Sequence, residues 1–235
     1  MSGEAVRTLL SVLDIERLEL NLFRGRGEGG ETVKRIFGGQ VIAQALAAAY
    51  QTVEDRPCHS LHAYFIRPGD PSIPVIYEVD RSRDGGSFTT RRVIAVQHGK
   101  QILNLAASFH GEEPGWDHQH DMPETPPPKD FPSRAEVRAA VSDRIPKETR
   151  EQFLRPRPIE IREVDAVDLF APEPTSDRNR MWFRLRERVE AEPWRHHCLM
   201  AYASDMSLLG SGIRPHGLSW MSGRVMAASL GSLRV

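Results

Sequence analysis

The chain has 235 residues and a mass of 26.5 kDa, of which 40% are hydrophobic and 27% charged. That is enough apolar material for a core, which excludes disordered and collagen-like architectures, and the length suits one large domain or two of about 110 residues. Thirty-one basic side chains against 32 acidic ones leave a formal charge of −1, without the basic excess of a general nucleic-acid binder.

The N-terminal MSGEAVRTLL has neither a basic region nor a long apolar run, and no stretch of 18 apolar residues occurs anywhere, so the sequence predicts a cytoplasmic protein without a membrane segment. The two cysteines, Cys58 and Cys198, form no CxxC pair, which argues against a disulfide framework or a thiolate zinc site and fits a reducing compartment. GRGEGG, residues 25–30, formally satisfies GxGxxG, but its context predicts a loop. After Gly38-Gly39, Val41, Ile42, Ala45, Leu46, Ala49, Tyr50 and Val53 recur at helical spacing. The alanines of this segment predict a buried helix lying close to a sheet, because small side chains allow close backbone approach.

Strand patterns follow. Leu61, Ala63 and Phe65 alternate with polar or aromatic neighbours, as do Val75, Tyr77 and Val79. Asp84-Gly85-Gly86 predicts a hairpin turn, SFTTRRVIAVQHG and KQILNLAASFH continue the β pattern, and His98-Gly99-Lys100 predicts the turn between them. Arg81, Arg83, Arg91 and Arg92 fall on these strands, where a solvated sheet face is expected. One long helix against a run of antiparallel strands is an α+β unit.

Six of the 17 prolines lie between residues 111 and 133, which bars a central strand or a continuous helix there. The charged stretch from Ser133 to about Leu154 is weakly helical, and strand patterns resume at IEIRE, MWFRLRERV and HHCLMAYA. The organisation expected is therefore an N-terminal domain over 1–112, a proline-rich and charged linker over 113–157, and a C-terminal domain over 158–235. The halves carry a weak repeat: 21 residues separate Gly39 from Ser60, and 24 separate Asp205 from Ser229.

Several motifs invite a chemical reading. Gly217-Leu218-Ser219-Trp220 begins like a nucleophile elbow, but Met221 replaces the closing glycine. Asp117, His118, His120 and Asp121, joined by His196 and His197, are conceivable metal ligands, although their contexts favour solvated or packed side chains. Read without any relative, Asp205 is a carboxylate at a helix start, capped by Ser204, and Ser229 a strand serine.

LFRGR (22–26), RIFGGQVIAQAL (35–46), HSLHAYFIRPGDPSIPVIYEVDRSRDGGSF (59–88), AVQHGK (95–100) and ASDMSLLGSGIRPHG (203–217) together resemble the acyl-CoA thioesterase II family, the double-hotdog thioesterases. The resemblance implies two tandem hotdog folds, each a long helix wrapped by an antiparallel sheet, and hydrolysis of fatty acyl-CoA to free fatty acid and CoA. It implies Asp205, in SDMSLL, and Ser229 as the catalytic pair that orients a water, with no metal, no redox cofactor, an acyl-CoA substrate and a homo-oligomer. The family's glutamine, in a Gln-Glu-Gly motif beyond the serine, has no counterpart before Val235, so the resemblance also implies a truncated or altered C-terminus and an incomplete second unit. Two other readings remain at this stage: a catalytically impaired acyl-CoA-binding or interaction remnant, and a hotdog hydratase or dehydratase. The latter would call for a histidine on the central helix, which carries none.

Overall fold

The computed structural model describes residues 2–27, 35–219 and 221. Two compact units are present. Among the described residues, the larger comprises those within Arg7–Trp116 together with Glu190–Met206, and the smaller comprises Asp117–Val189, residues 2–6 and those within Ser207–Leu230.

In chain order the first elements are α1 (Ser2–Leu13), β1 (Glu16–Glu19), β2 (Leu22–Gly25), α2 (Gly38–Tyr50), β3 (Cys58–Phe65), β4 (Val75–Asp84), β5 (Phe88–Gln97) and β6 (Lys100–His110). The six strands form one antiparallel sheet in the order β1-β2-β4-β5-β6-β3. The β5–β6 hairpin turns on His98 (φ 48°) and Gly99 (φ 68°), the pair of positive φ values that a two-residue turn of type I′ needs to match strand twist. The Gly85-Gly86 hairpin closes with Gly85 N–H donating to the Phe88 carbonyl at 2.9 Å.

Helix α2 packs on β4, β5 and β6, and every residue from Gly39 to Ala49 is buried. Val75, Tyr77, Val93, Leu103, Leu105 and Phe109 supply the sheet side of this core. Two buried glutamines on α2 hold the chain end of β2. Gln44 donates from Nε2 to the Val12 carbonyl at 2.8 Å and accepts from Tyr77 Oη at 2.6 Å, while Gln40 donates to the Arg26 carbonyl at 2.9 Å. Arg91 departs from the solvated face expected of it. It is 1% exposed, and its guanidinium donates to Thr52 Oγ1 and the Thr52 carbonyl, both at 2.8 Å, and pairs with Asp84. Its position on β5 faces inward with Thr89, Val93 and Ala95, so burial follows from strand alternation and the fork satisfies the donors.

The remaining elements are α3 (Arg134–Ala140), α4 (Lys147–Leu154), β7 (Ile159–Glu163), β8 (Met181–Leu185), α5 (Pro193–Ser204) and α6 (Leu208–Ile213). Ser133 and Glu136 form a capping box at the start of α3, at 3.2 and 2.6 Å, which explains the helix inside the charged stretch. β7 and β8 pair antiparallel; IEIRE is a strand as expected, and MWFRLRERV is one only as far as Leu185.

HHCLMAYA, expected as a strand, is helical and belongs to α5. Pro193 occupies its first turn, where a missing N–H costs nothing. Cys198, Leu199, Ala201, Tyr202 and Ala203 are buried, a helical rather than an alternating pattern. Helix α5 packs on α2 within the larger unit, so that unit is discontinuous in sequence. The 1–112 and 158–235 boundaries drawn from composition do not anticipate this, because composition reports linkers and not which segment returns to pack. Tyr50 at the end of α2 joins the same contact. Its hydroxyl accepts from the Cys58 N–H at 2.7 Å and meets His197 Nδ1 at 2.6 Å.

Candidate active site

Asp205 follows the last residue of α5 and occupies the helix's C-cap, with αR backbone (φ −80°). This corrects the expected helix start: Ser204 is the final helical residue, and its hydroxyl donates back to the Ala201 carbonyl at 2.8 Å instead of capping a new turn. The carboxylate nevertheless meets a helix N-terminus, that of α2. Gly39 N–H donates to Asp205 Oδ2 at 2.9 Å. The α2 N-cap residue, Phe37, supplies no side-chain acceptor, so a carboxylate 166 residues further along the chain satisfies one of the orphan donors of the first turn.

The space around this bond is tight. A Cβ on Gly38 would lie 2.6 Å from Asp205 Oδ2 and 2.6 Å from Phe65 Cζ, and one on Gly39 would lie 2.3 Å from the Tyr202 carbonyl oxygen. At Gly39 the obstacle is backbone and only hydrogen fits, whereas at Gly38 a Cβ would have to displace the ends of Asp205 and Phe65, which is the physical content of FGGQ. Phe37 packs edge-on against Tyr202, with ring centroids 5.0 Å apart. The first turn of α2 and the Phe65 ring therefore border the carboxylate.

Burial dominates its acidity. Desolvation pushes Asp205 up from the ordinary 3.8 to about 6, against the opposing pull of the Gly39 N–H and the positive charge of Arg35. The helix N-terminus of α2 by itself favours the ionised form, but removal from water outweighs it. At neutral pH the group is mostly ionised and is a better proton acceptor than a solvated carboxylate.

Three of the quoted motifs converge here: FGGQ provides the amide, HAYF provides Phe65 and SDMSLL provides Asp205. Ser229 lies outside the described residues. Cys58 and Cys198 are free thiols, and burial pushes Cys58 up to about 11 and Cys198 well above its usual range, which makes both poor nucleophiles. Ser219 donates from Oγ to the Leu169 carbonyl at 2.6 Å. His197 is engaged by Tyr50, and His118 and His120 contact each other at 5.4 Å between ring centroids. Gln40 and Gln44, which anchor the start of α2, escaped sequence reasoning, because a glutamine inside an apolar stripe carries no signal of its partner.

Comparison with known proteins identifies the family. The family model described as the acyl-CoA thioesterase N-terminal domain matches residues 29–110, and that described as its C-terminal domain matches residues 120–232. The chain is 40% identical over 226 residues to acyl-coenzyme A thioesterase 8 of Mus musculus, covering 92% of this chain and 71% of that protein. It is 32% identical to acyl-CoA thioesterase 2 of Haemophilus influenzae, covering 97% and 80%. The crystal structure of acyl-CoA thioesterase II TesB2 from Mycobacterium marinum superimposes with a TM-score of 0.67 at 38% identity, covering 88% of this chain and 70% of that one. The helix-in-sheet unit is accordingly a hotdog fold of the α+β class, and the chain belongs to the acyl-CoA thioesterase II family of thioester-cleaving enzymes.

Proposed function

We propose that the protein hydrolyses fatty acyl-CoA thioesters with Asp205 as the water-orienting base. The observation that carries this reading is the bond between Gly39 N–H and Asp205 Oδ2, which holds a carboxylate of raised basicity in an apolar recess at the start of a buried helix. In the reaction Asp205 takes a proton as the water oxygen attacks the thioester carbonyl carbon. The C–S bond then breaks, and the proton passes to the departing CoA thiolate, leaving free acid and CoA. Partial positive charge at the N-terminus of α2 favours the oxyanion that develops. Ser229 is the second hydrogen-bonding partner of that water, a role supported by the family resemblance alone.

The reading extends to architecture. The C-terminal half forms a second hotdog, a reading supported by the family model over residues 120–232 and by the β7–β8 pair. The protein is a cytoplasmic homo-oligomer, supported by two free cysteines, by β1 and β3 as sheet edges, and by exposed Tyr64, Phe65 and Ile66 at the end of β3. Among the described residues no helix is long and apolar enough to cross a membrane.

The test is release of free thiol from medium- and long-chain acyl-CoA by the full chain and by Asp205→Asn. A variant that turns over at the parent rate removes Asp205 from the mechanism.

A further inference from the structure

Phe65 is the last residue of β3, the edge strand of the sheet, and opposes Leu103 of β6. It shares a face with Leu61 and Ala63, while Tyr64 points the other way and meets the His62 ring at 4.7 Å between centroids. Although the Phe65 ring lies against the first turn of the buried helix α2, it is 53% exposed. One part of it faces solvent and the other faces the candidate site.

The inner part meets Asp205. The point where a side chain on Gly38 would begin lies 2.6 Å from Phe65 Cζ, 2.7 Å from Phe65 Cε1 and 2.6 Å from Asp205 Oδ2. The Cζ end of the ring and the carboxylate oxygen therefore share the notch that the missing Cβ leaves. Gly38, Phe65 and Asp205 all belong to the larger unit. The ring fills space beside Oδ2 that water would otherwise occupy, next to the 2.9 Å bond from Gly39 N–H. Of the charged residues described on or beside α2, β3 and α5, Arg35 is the one that acts on Asp205, and it favours the ionised form as the Gly39 N–H does; burial opposes both and outweighs them.

We propose that Phe65 is a positioning residue of the reaction: its ring keeps bulk water from Asp205 Oδ2 and braces the carboxylate against the Gly39 N–H. The inference rests on Asp205 as the base. Phe65 acts through that base and not on the substrate. A carboxylate closed to solvent on one side takes a proton more readily than a solvated one, and a neighbour that fills the notch preserves the orientation on which the attack of water depends. Gly38 and Phe65 are then a matched pair, since a side chain at 38 would claim the space that the ring end occupies.

NMR titration of the Asp205 side-chain carboxyl in the full chain, with the signal assigned by its loss in Asp205→Asn, reads the proton affinity of the group without turnover. The parent midpoint should lie at about 6, and Phe65→Ala, which opens the shield, should lower it by about one pH unit or more. Phe65→Leu, too short to reach Cε1 and Cζ, should lower it by about half as much, and it carries the test if the alanine variant is unfolded by circular dichroism. Phe65→Met, an apolar side chain of similar reach, should stay within about 0.5 unit of the parent. Tyr64→Ala, on the opposite face of β3, should leave the midpoint where it is. In Phe65→Ala the acid limb of kcat/KM for thiol release should move with the midpoint, and the plateau should fall about tenfold, through kcat more than KM. Folded alanine and leucine variants that titrate as the parent does, or a methionine variant displaced as far as the alanine one, overturn the inference alone. A moved midpoint with an unmoved rate profile overturns Asp205 as the base and the inference with it.

Discussion

Asp205 Oδ2 and the backbone nitrogen of Gly39 are 2.9 Å apart, so one hydrogen bond joins the end of α5 to the beginning of α2. It orients the carboxylate and caps the helix together, and substitutions at either partner separate those two roles.

Asp205→Asn keeps an oxygen that can accept from Gly39 N–H but cannot take a proton. Thiol release should fall by about 10²- to 10⁴-fold, the range associated with removing a positioned acid-base group, with circular dichroism unchanged. An activity within a few-fold of the parent would contradict the assignment.

The same variant should be more stable at neutral pH. The folded protein holds the Asp205 proton up to about pH 6, whereas the unfolded chain releases it near the ordinary 3.8. Stability therefore falls as pH rises through that window, and above it the penalty of a buried charge is constant. Asparagine removes the charge, giving a gain of about 1–3 kcal/mol at pH 7.5, from a shift worth ~1.4 kcal/mol per unit. Thermal melts of both proteins at pH 4 and pH 7.5 check this: the difference should be large at the higher pH and small at the lower.

Activity should follow the same group. The rate, as kcat/KM, should drop tenfold per unit below about pH 6 and level off above it, because the ionised form of Asp205 is the reactive one. A profile that stays flat down to pH 4.5 would show that another group limits the reaction.

The two glycines should respond differently. Alanine at position 39 drives a Cβ into the Tyr202 carbonyl at 2.3 Å, a backbone atom that cannot swing aside, so Gly39→Ala should destabilise by about 1–3 kcal/mol. At position 38 the obstacles are the ends of Asp205 and Phe65, and Phe65 is 53% exposed. Gly38→Ala should therefore fold nearly as well as the parent but lose roughly 10- to 100-fold in activity as the carboxylate is displaced. Urea unfolding alongside thiol release separates the two outcomes.

Arg91 carries its charge inside the sheet and is satisfied by Thr52 and Asp84. Arg91→Ala opens a void and orphans those acceptors, for an expected loss of about 2–5 kcal/mol, read as a lower urea midpoint. Arg92, the exposed neighbour on the same strand, should tolerate alanine within about 0.5 kcal/mol.

Much of the larger unit could be read from residues alone. The β5–β6 hairpin announces itself through His98-Gly99, where a turn of positive φ demands such residues, and α2 through its apolar spacing. HHCLMAYA reads as a strand because it is short and its apolar residues fit period two as well as period 3.6; packing on α2 decides for the helix. For the same reason Asp205 was placed at the wrong end of a helix. The resemblance singles out Asp205, but its raised basicity is invisible in the sequence, since desolvation depends on how the folded chain buries the carboxylate. Arg91 shows the converse error: four strand arginines look alike in sequence, and only strand facing selects the one that turns inward. β1 and β2 escaped notice because strands of four residues hold too little pattern.

The return of α5 to the larger unit also limits how the gene can be divided. A fragment ending in the proline-rich stretch would keep all six strands and α2 but lose the helix that covers the outward alanines of α2, and with it the carboxylate that seats on Gly39. Such a half-gene would encode a protein with a bare helical flank and without that carboxylate, whereas a fusion carrying residues 190–206 on a tether would restore both together.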